Sequence, residues 1–229
     1  MIASKSAFVL CVLLALFCRA SRAAPSSTNP APAAPIRDFS ILVYAAGDEK
    51  RLFESARNLL SQIEDASIKA KNTAVGIVIQ HDDVLSDPGY RYVVSDGTNA
   101  APRVLNEPPG QSVSFRLRTP PVPEPEIARY EPGFRYGEID SGDPRTLKRF
   151  LNWAIATHPA RHYILIVAGH SWGLQGHLQD FYYDGAYWRR STLMKNYELR
   201  RALSEVLDEQ KANIPEGVFD ALIIDACVS

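Results

Sequence analysis

The strongest constraint on the fold is an alternation of short apolar runs with helical patterns. Residues 40–46 (SILVYAA) form a continuous apolar run closed by Gly47, and residues 74–80 (AVGIVIQ) form a second. Such runs are typical of strands that are buried on both faces of a sheet. Residues 49–70 lie between them and carry Leu, Ile and Ala at helical spacing. A strand, a helix and a strand within about forty residues form a βαβ unit, which predicts a parallel sheet.

The same alternation returns in the second half of the chain. Asp143 is followed by Pro144, which favours a helix capped by Asp143. Another helix is predicted at about residues 196–211 from its inward Leu, Ala and Val residues. The two predicted strands are 163–168, which ends at Gly169-His170, and 219–224, which ends at Asp225-Ala226-Cys227.

Two segments lack this alternation. Eight of the 16 prolines fall between Pro102 and Pro132, which predicts that much of the insertion at residues 81–135 is loop. Within it, alternating apolar residues at 90–94 and 113–117 predict a hairpin appended to the main sheet. The aromatic stretch between His170 and the helix at 196 is predicted to be irregular.

The first 23 residues have the pattern of a secretory signal peptide. Lys5 precedes an apolar run at 7–17, and small residues follow at the alternate positions Ser21 and Ala23. The run is shorter than the roughly 20 residues that a membrane span needs. A Pro- and Ala-rich linker is predicted at 24–37 and one domain at 38–229. We therefore expect an exported protein, secreted or periplasmic, without a membrane span.

Charge and cysteine content limit the possible functions. Lys and Arg total 25 and Asp and Glu total 26, so no basic surface indicates a nucleic-acid partner. Of the three cysteines, Cys11 and Cys18 lie in the predicted leader, which leaves Cys227 without an internal disulfide partner. A lone thiol in an oxidising compartment is open to oxidation, which favours a chemical role over that of a small buried apolar residue.

His170 and Cys227 follow two predicted parallel strands. Ligands of parallel α/β sheets bind at the carboxyl ends of the strands. Neighbouring strands would bring these two residues to the same edge of the sheet, although 57 residues separate them in sequence. A thiolate beside an imidazole is the minimal apparatus of a cysteine hydrolase.

A serine hydrolase is the main alternative. Gly169-His170-Ser171-Trp172-Gly173 fits the G-x-S-x-G nucleophile elbow of α/β-hydrolases and follows a predicted strand. An elbow must lead directly into a helix, and the segment from Gly173 to His177 lacks a helical period. The acid and histidine of such a triad also follow the serine, and His177 is the only later histidine.

The chain resembles the clostripain family of secreted cysteine peptidases (family C11), in the clan with the caspase-like fold. The resemblance covers residues 38–229, with 81–135 matching poorly. Its fold, as the resemblance implies, is a three-layer α/β/α sandwich with a mostly parallel sheet. This sequence is expected to end after the nucleophile strand, before the further strands of such a domain. The matching blocks are, in order, 41–48 (ILVYAAGD), 137–144 (GEIDSGDP), 150–154 (FLNWA), 158–166 (HPARHYILI) and 224–227 (IDAC).

The resemblance implies a catalytic dyad of His170 and Cys227, with His170 protonating the leaving amine. It also implies that backbone N–H groups of Ser171 and Cys227 bind the oxyanion, although the family usually has glycine where Ser171 stands. Asp225 lies two residues before Cys227, so in extended backbone it faces the same side and would favour Arg or Lys before the cut. The alternative is that Asp225 caps a neighbouring loop.

The resemblance implies protein or peptide substrates and a monomer, which self-processing would cleave into two chains. Members of the family are often cut between the histidine and cysteine strands, and here Arg189 and Arg190 follow Gly185 in that segment. No metal ligands and no cofactor are expected. Calcium, on which some relatives depend, stays the weaker alternative because no compact ligand loop is present. A non-catalytic relative that keeps the fold is a third interpretation.

Overall fold

The computed structural model places a single mixed sheet at the centre of the chain. The predicted signal peptide and residues 24–35 of the predicted linker lie outside the described residues. The structure describes residues 36–47, 53–70, 74–83, 89–94, 117–130, 139–183, 188–214, 217 and 219–228.

Seven strands and four α-helices are found in the described part of the chain. The strands are β1 (Arg37–Gly47), β2 (Val75–Asp83), β3 (Tyr90–Val94), β4 (Ala160–Ser171), β5 (His177–Tyr183), β6 (Trp188–Met194) and β7 (Ala221–Val228). The helices are α1 (Phe53–Ala70), α2 (Glu124–Tyr130), α3 (Pro144–Thr157) and α4 (Asn196–Glu209), with a short 3-10 helix at Gly173–Gln175.

The centre of the sheet is parallel, as the βαβ pattern predicts. Strand β1 pairs in parallel with β2 on one edge and with β4 on the other, and β4 also pairs in parallel with β7. The antiparallel pairs are peripheral, because β3 joins β2 and the β5–β6 hairpin joins the end of β4. The sheet is therefore mostly parallel in its core.

Each face of the sheet packs against helices. Leu42 and Leu165 face α3 and α4, whose Leu147 and Val206 are fully buried with them. The neighbouring residue Val43 faces the other side, in a second core that includes Leu60 of α1 and Ile79. Two cores on opposite faces explain why the strand runs are apolar at most successive positions and give the three-layer α/β/α architecture.

Helix α3 begins as its sequence predicts. Asp143 is the N-cap and accepts a hydrogen bond from the Arg145 N–H at 2.8 Å, while Pro144 is the first helical residue. The cap leaves Ser141 and Gly142 in the preceding turn, which packs beneath the β5–β6 hairpin. The start of α3 is therefore fixed against the β5–β6 hairpin.

The prediction that the segment after His170 is irregular was wrong. Residues 177–183 and 188–194 form the antiparallel strands β5 and β6. The alternation of apolar and polar residues in these strands is obscured for two reasons. Asp180 is buried where an apolar residue would be expected, and register shifts interrupt the hairpin. The insertion also contains more structure than a loop, since Glu124–Tyr130 forms α2. Residues 113–116 of the hairpin predicted in it lie outside the described residues.

None of the helices that the structure describes is long and apolar enough to span a membrane.

Candidate active site

His170 and Cys227 lie directly opposite each other on adjacent strands. The β4–β7 ladder is in parallel register from Ile164 to Ser171, and it pairs His170 with Cys227. Both strands continue through these residues, so the two positions lie within the ladder and not in loops after it. Paired residues of parallel strands share a face of the sheet. The topology thus brings the imidazole-bearing residue and the thiol-bearing residue together at the carboxyl end of the parallel core.

Asp225 shares this face two positions earlier. It is paired with Ala168 in the same ladder, and its side chain is exposed. The exposed carboxylate of Asp225 therefore lies on the same face of β7 as Cys227, two residues before it in sequence.

The His170 ring is almost enclosed, with only 6% of the residue exposed. The ring of Trp172 lies edge-on to it, with centroids 5.9 Å apart. Nδ1 of His170 is buried and has no hydrogen-bond partner among the described residues. Within that part of the chain, packing against Trp172 and not a carboxylate orients the imidazole.

The turn that follows β4 is closed by its own backbone. The Trp172 N–H donates to the Gly176 carbonyl at 3.0 Å, and the Gln175 N–H donates to the Trp172 carbonyl at 3.2 Å. Gly173 has φ +57° and Gly176 has φ +153°, a backbone region that favours glycine. A side chain at Gly176 would also collide with the Met194 carbonyl. These two glycines were the sequence signal for a tight turn, and sequence reasoning did not use them.

Ser171 does not occupy a nucleophile elbow. An elbow requires a strand, a sharp turn and a helix, whereas β4 leads through a 3-10 helix into the antiparallel strand β5. The hydroxyl oxygen of Ser171 accepts from the Gly173 N–H at 3.0 Å and lies 3.3 Å from the Gly176 carbonyl. It is also 2.9 Å from Nδ1 of His177, its cross-strand partner. The Ser171 hydroxyl is thus engaged by the backbone of the turn, and it ties the turn together.

A buried hydrogen-bond network supports this edge of the sheet. The Ser141 hydroxyl donates to Oδ2 of Asp82 at 2.7 Å, and the Ser141 N–H donates to the Asp180 carboxylate. The Tyr44 hydroxyl donates to the Ser141 carbonyl at 3.1 Å. Gly142 is required beside this network, because a Cβ there would collide with the side chain of Thr192. The network joins the ends of β1, β2 and β5 to the start of α3.

Arg189 and Arg190 lie in β6, not in the flexible loop that the sequence predicts. Arg190 is paired with Tyr182, but the register then shifts so that Trp188 pairs with Tyr183 and Arg189 is left unpaired. Such a bulge interrupts the ladder locally. Residues 184–187, on the other side of this position, lie outside the described residues.

The described residues contain no group of three or more His, Cys, Asp or Glu side chains that could hold a metal ion. The absence of a cofactor and the calcium alternative both stay predictions.

Comparison with solved structures identifies the fold. No protein-family model and no curated protein matches this sequence. The structure of a secreted C11 cysteine protease from Bacteroides thetaiotaomicron, called iotapain, matches 84% of this chain with a TM-score of 0.50 and 11% identity. A structure of a C11 protease from the same organism with an irreversible peptide inhibitor matches 83% of the chain, with a TM-score of 0.48 and 18% identity.

The likeness shows the fold. The chain has the caspase-like α/β architecture that the resemblance in its sequence implies. It spans 47% of the length of the first of these proteins and 43% of the second. At these identities the likeness carries no residue of the site across, so the assignment of the site depends on this chain's own geometry.

Proposed function

We propose that this protein is a secreted cysteine endopeptidase whose nucleophile is Cys227 and whose general acid is His170. The observation that carries the proposal is the register of β4 and β7, which pairs the two residues at the carboxyl end of a parallel core. Its support is the fold, which is that of C11 cysteine proteases. The predicted leader favours export, and the two structural neighbours are themselves described as secreted.

The proposed reaction has two steps. The Cys227 thiol gives its proton to His170, and the resulting thiolate adds to the carbonyl carbon of the scissile bond and forms a tetrahedral oxyanion. His170 then gives its proton to the leaving amine as the C–N bond breaks, which leaves a thioester on Cys227. Water hydrolyses the thioester, releases the carboxylate product and restores the thiol. In this reaction Cys227 holds the acyl carbon of the scissile bond, and His170 faces the leaving amine.

Backbone geometry supports Ser171 as one oxyanion donor. The Trp172 N–H points to the β5 side, since it donates to Gly176. Alternate backbone groups of a strand point to opposite edges, so the Ser171 N–H points toward β7, the strand of Cys227. Ser171 is paired with Val228 there, and this last pair of the ladder has to open to admit an oxyanion. The second donor in the proposal is the Cys227 N–H.

The position of Asp225 supports cleavage after Arg or Lys. Its exposed carboxylate shares a face of β7 with Cys227, at the distance of two residues along a strand. A carboxylate there would bind a guanidinium or ammonium group of the residue before the cut. We expect substitution of Asp225 by Asn to lower kcat/KM for Arg substrates about 10- to 100-fold, the usual worth of a charge-assisted hydrogen bond.

Two single variants of the complete protein test the nucleophile. Cys227→Ala should abolish hydrolysis of a fluorogenic Arg-containing peptide, whereas Ser171→Ala should retain most of it. Loss of activity in the serine variant alone would instead favour a serine hydrolase. Absence of peptidase activity in a folded wild type would favour a non-catalytic relative.

A further inference from the structure

Two large apolar side chains are exposed beside His170. Leu174 is 96% exposed and Trp172 is 43% exposed, and both lie in the turn between β4 and β5. Single exposed apolar residues are common on protein surfaces and need no explanation. These two are different because they are two residues apart in the turn that contacts the candidate catalytic histidine.

Hydrogen bonds hold the Trp172 side chain and the backbone of Leu174 in place. The Trp172 indole N–H donates to Oε1 of Gln179 on β5. The amide of Asn196, at the start of α4, donates to the Leu174 carbonyl at 3.2 Å. Together with the turn's own backbone hydrogen bonds, these contacts anchor it at both ends. The backbone of this turn is therefore anchored, and it presents Leu174 to solvent.

The turn lies on the side of His170 that faces away from Cys227. Ser171 is paired with Val228 of β7 and also with His177 of β5. A strand has only two edges, so β5 and the turn occupy the edge opposite β7. The thiol-bearing strand, the histidine and the exposed apolar turn thus follow one another in this order across the carboxyl end of the sheet.

This order fixes which part of a substrate meets the turn. In the proposed function, the acyl carbon is bound to Cys227 and the leaving amine faces His170. The substrate chain after the scissile bond therefore continues away from β7 and passes over the turn. An extended residue spans about 3.3 Å, so one or two residues after the cut reach the Trp172–Leu174 surface.

We propose that Trp172 and Leu174 form a binding surface for an apolar side chain in the first two residues after the scissile bond. This inference rests on the proposed function and deepens it, because it adds a preference on the leaving-group side to the preference for Arg or Lys before the cut. If Leu174 and the Trp172 ring cover an aliphatic side chain of the substrate, kcat/KM should be about tenfold higher than for a substrate with glycine at that position.

The test compares two internally quenched peptides that are identical up to the Arg before the cut. One continues with Leu-Leu and the other with Gly-Gly, and the ratio of their kcat/KM values is measured for the complete protein. The wild type should prefer the Leu peptide about tenfold. Leu174→Ser should reduce this ratio to about two or less. Ile36→Ser is the matched control, since Ile36 is an exposed aliphatic residue just before β1, at the opposite end of the sheet.

The outcomes separate this inference from the proposed function. Equal cleavage of both peptides by the wild type would overturn the binding surface while leaving the peptidase intact. An unchanged ratio in Leu174→Ser would do the same. Loss of the ratio in Ile36→Ser as well would show that the preference arises elsewhere and would overturn the inference. Failure of the wild type to cleave either peptide would contradict the proposed function itself and this inference with it.

Discussion

His158 should make this fold sensitive to acid. The residue caps the end of α3, where its backbone N–H donates to the Ala154 carbonyl at 2.8 Å. Its ring packs edge-on against Trp153, with centroids 5.5 Å apart, and Nδ1 lies 2.8 Å from the Thr157 hydroxyl. Burial and, to a smaller extent, the positive charge of Arg37 together lower the pKa of His158 from 6.5 to about 4. The imidazole is therefore neutral in the folded protein at pH 7.

The lowered pKa determines the sign and the size of the effect. Below pH 6.5 the unfolded chain binds a proton at His158 and the folded chain does not, so stability falls as the pH falls. The folded and unfolded pKa values of His158 differ by about 2.5, and each pKa unit corresponds to about 1.4 kcal/mol. The free energy of unfolding therefore falls by roughly 3 kcal/mol once the pH is near 4. At pH 5 the expected loss is about 2 kcal/mol.

Urea unfolding of the wild type and of His158→Gln measures this loss. Other groups also titrate in this range, so the relevant quantity is the difference in unfolding free energy between the two proteins. Relative to the variant, the wild type should lose about 2 kcal/mol between pH 7.5 and pH 5. A difference that changes by less than about 0.5 kcal/mol would refute the reasoning. A relative gain in wild-type stability would contradict its sign.

Three further predictions concern the turn, the core and processing. Gly176→Ala should destabilise the fold by about 1–3 kcal/mol and lower peptidase activity, because the new methyl group clashes with the Met194 carbonyl. Gly217→Ala is the control, since Gly217 has φ +66° but open space around it, and urea unfolding should show a smaller loss of stability in this variant. Leu165→Ala should cost about 2–5 kcal/mol, since Leu165 is fully buried, and a loss below 1 kcal/mol would contradict its place in the core. On a denaturing gel the complete wild-type protein should yield two chains, the second beginning at Arg190 or Ser191. Cys227→Ala should stay intact. An uncut and fully active wild type would exclude self-processing at Arg189 or Arg190.

The sequence was most informative where burial is uniform. The runs at 40–46, 74–80 and 163–168 are mostly apolar because helices cover both faces of the sheet, and an observed parallel strand covers each of them to within one residue. The ends of β4 and β7 were also predicted to meet at one edge. Their register, with His170 opposite Cys227, required the structure, since the length of a ladder is set by tertiary pairing and not by the apolar pattern.

The β5–β6 hairpin could not be predicted from its own residues. Asp180 occupies a buried position because the Ser141 N–H, 39 residues earlier in sequence, donates to its carboxylate. Leu178 is buried with φ +57°, a backbone conformation uncommon for leucine. The contact of Trp172 with His170 is likewise a product of the turn geometry. Features that depend on distant partners leave little trace in local periodicity.

The site of covalent modification by an electrophilic substrate analogue tests the central claim most directly. The complete protein would be treated with a peptidyl-arginine chloromethyl ketone, digested, and analysed by mass spectrometry. The proposed function predicts one adduct, on Cys227, and its loss in His170→Ala when the reagent is limiting, because His170 activates the thiol. An adduct on Ser171 or His177, or labelling of Cys227 that is equally fast in His170→Ala, would contradict the proposed dyad.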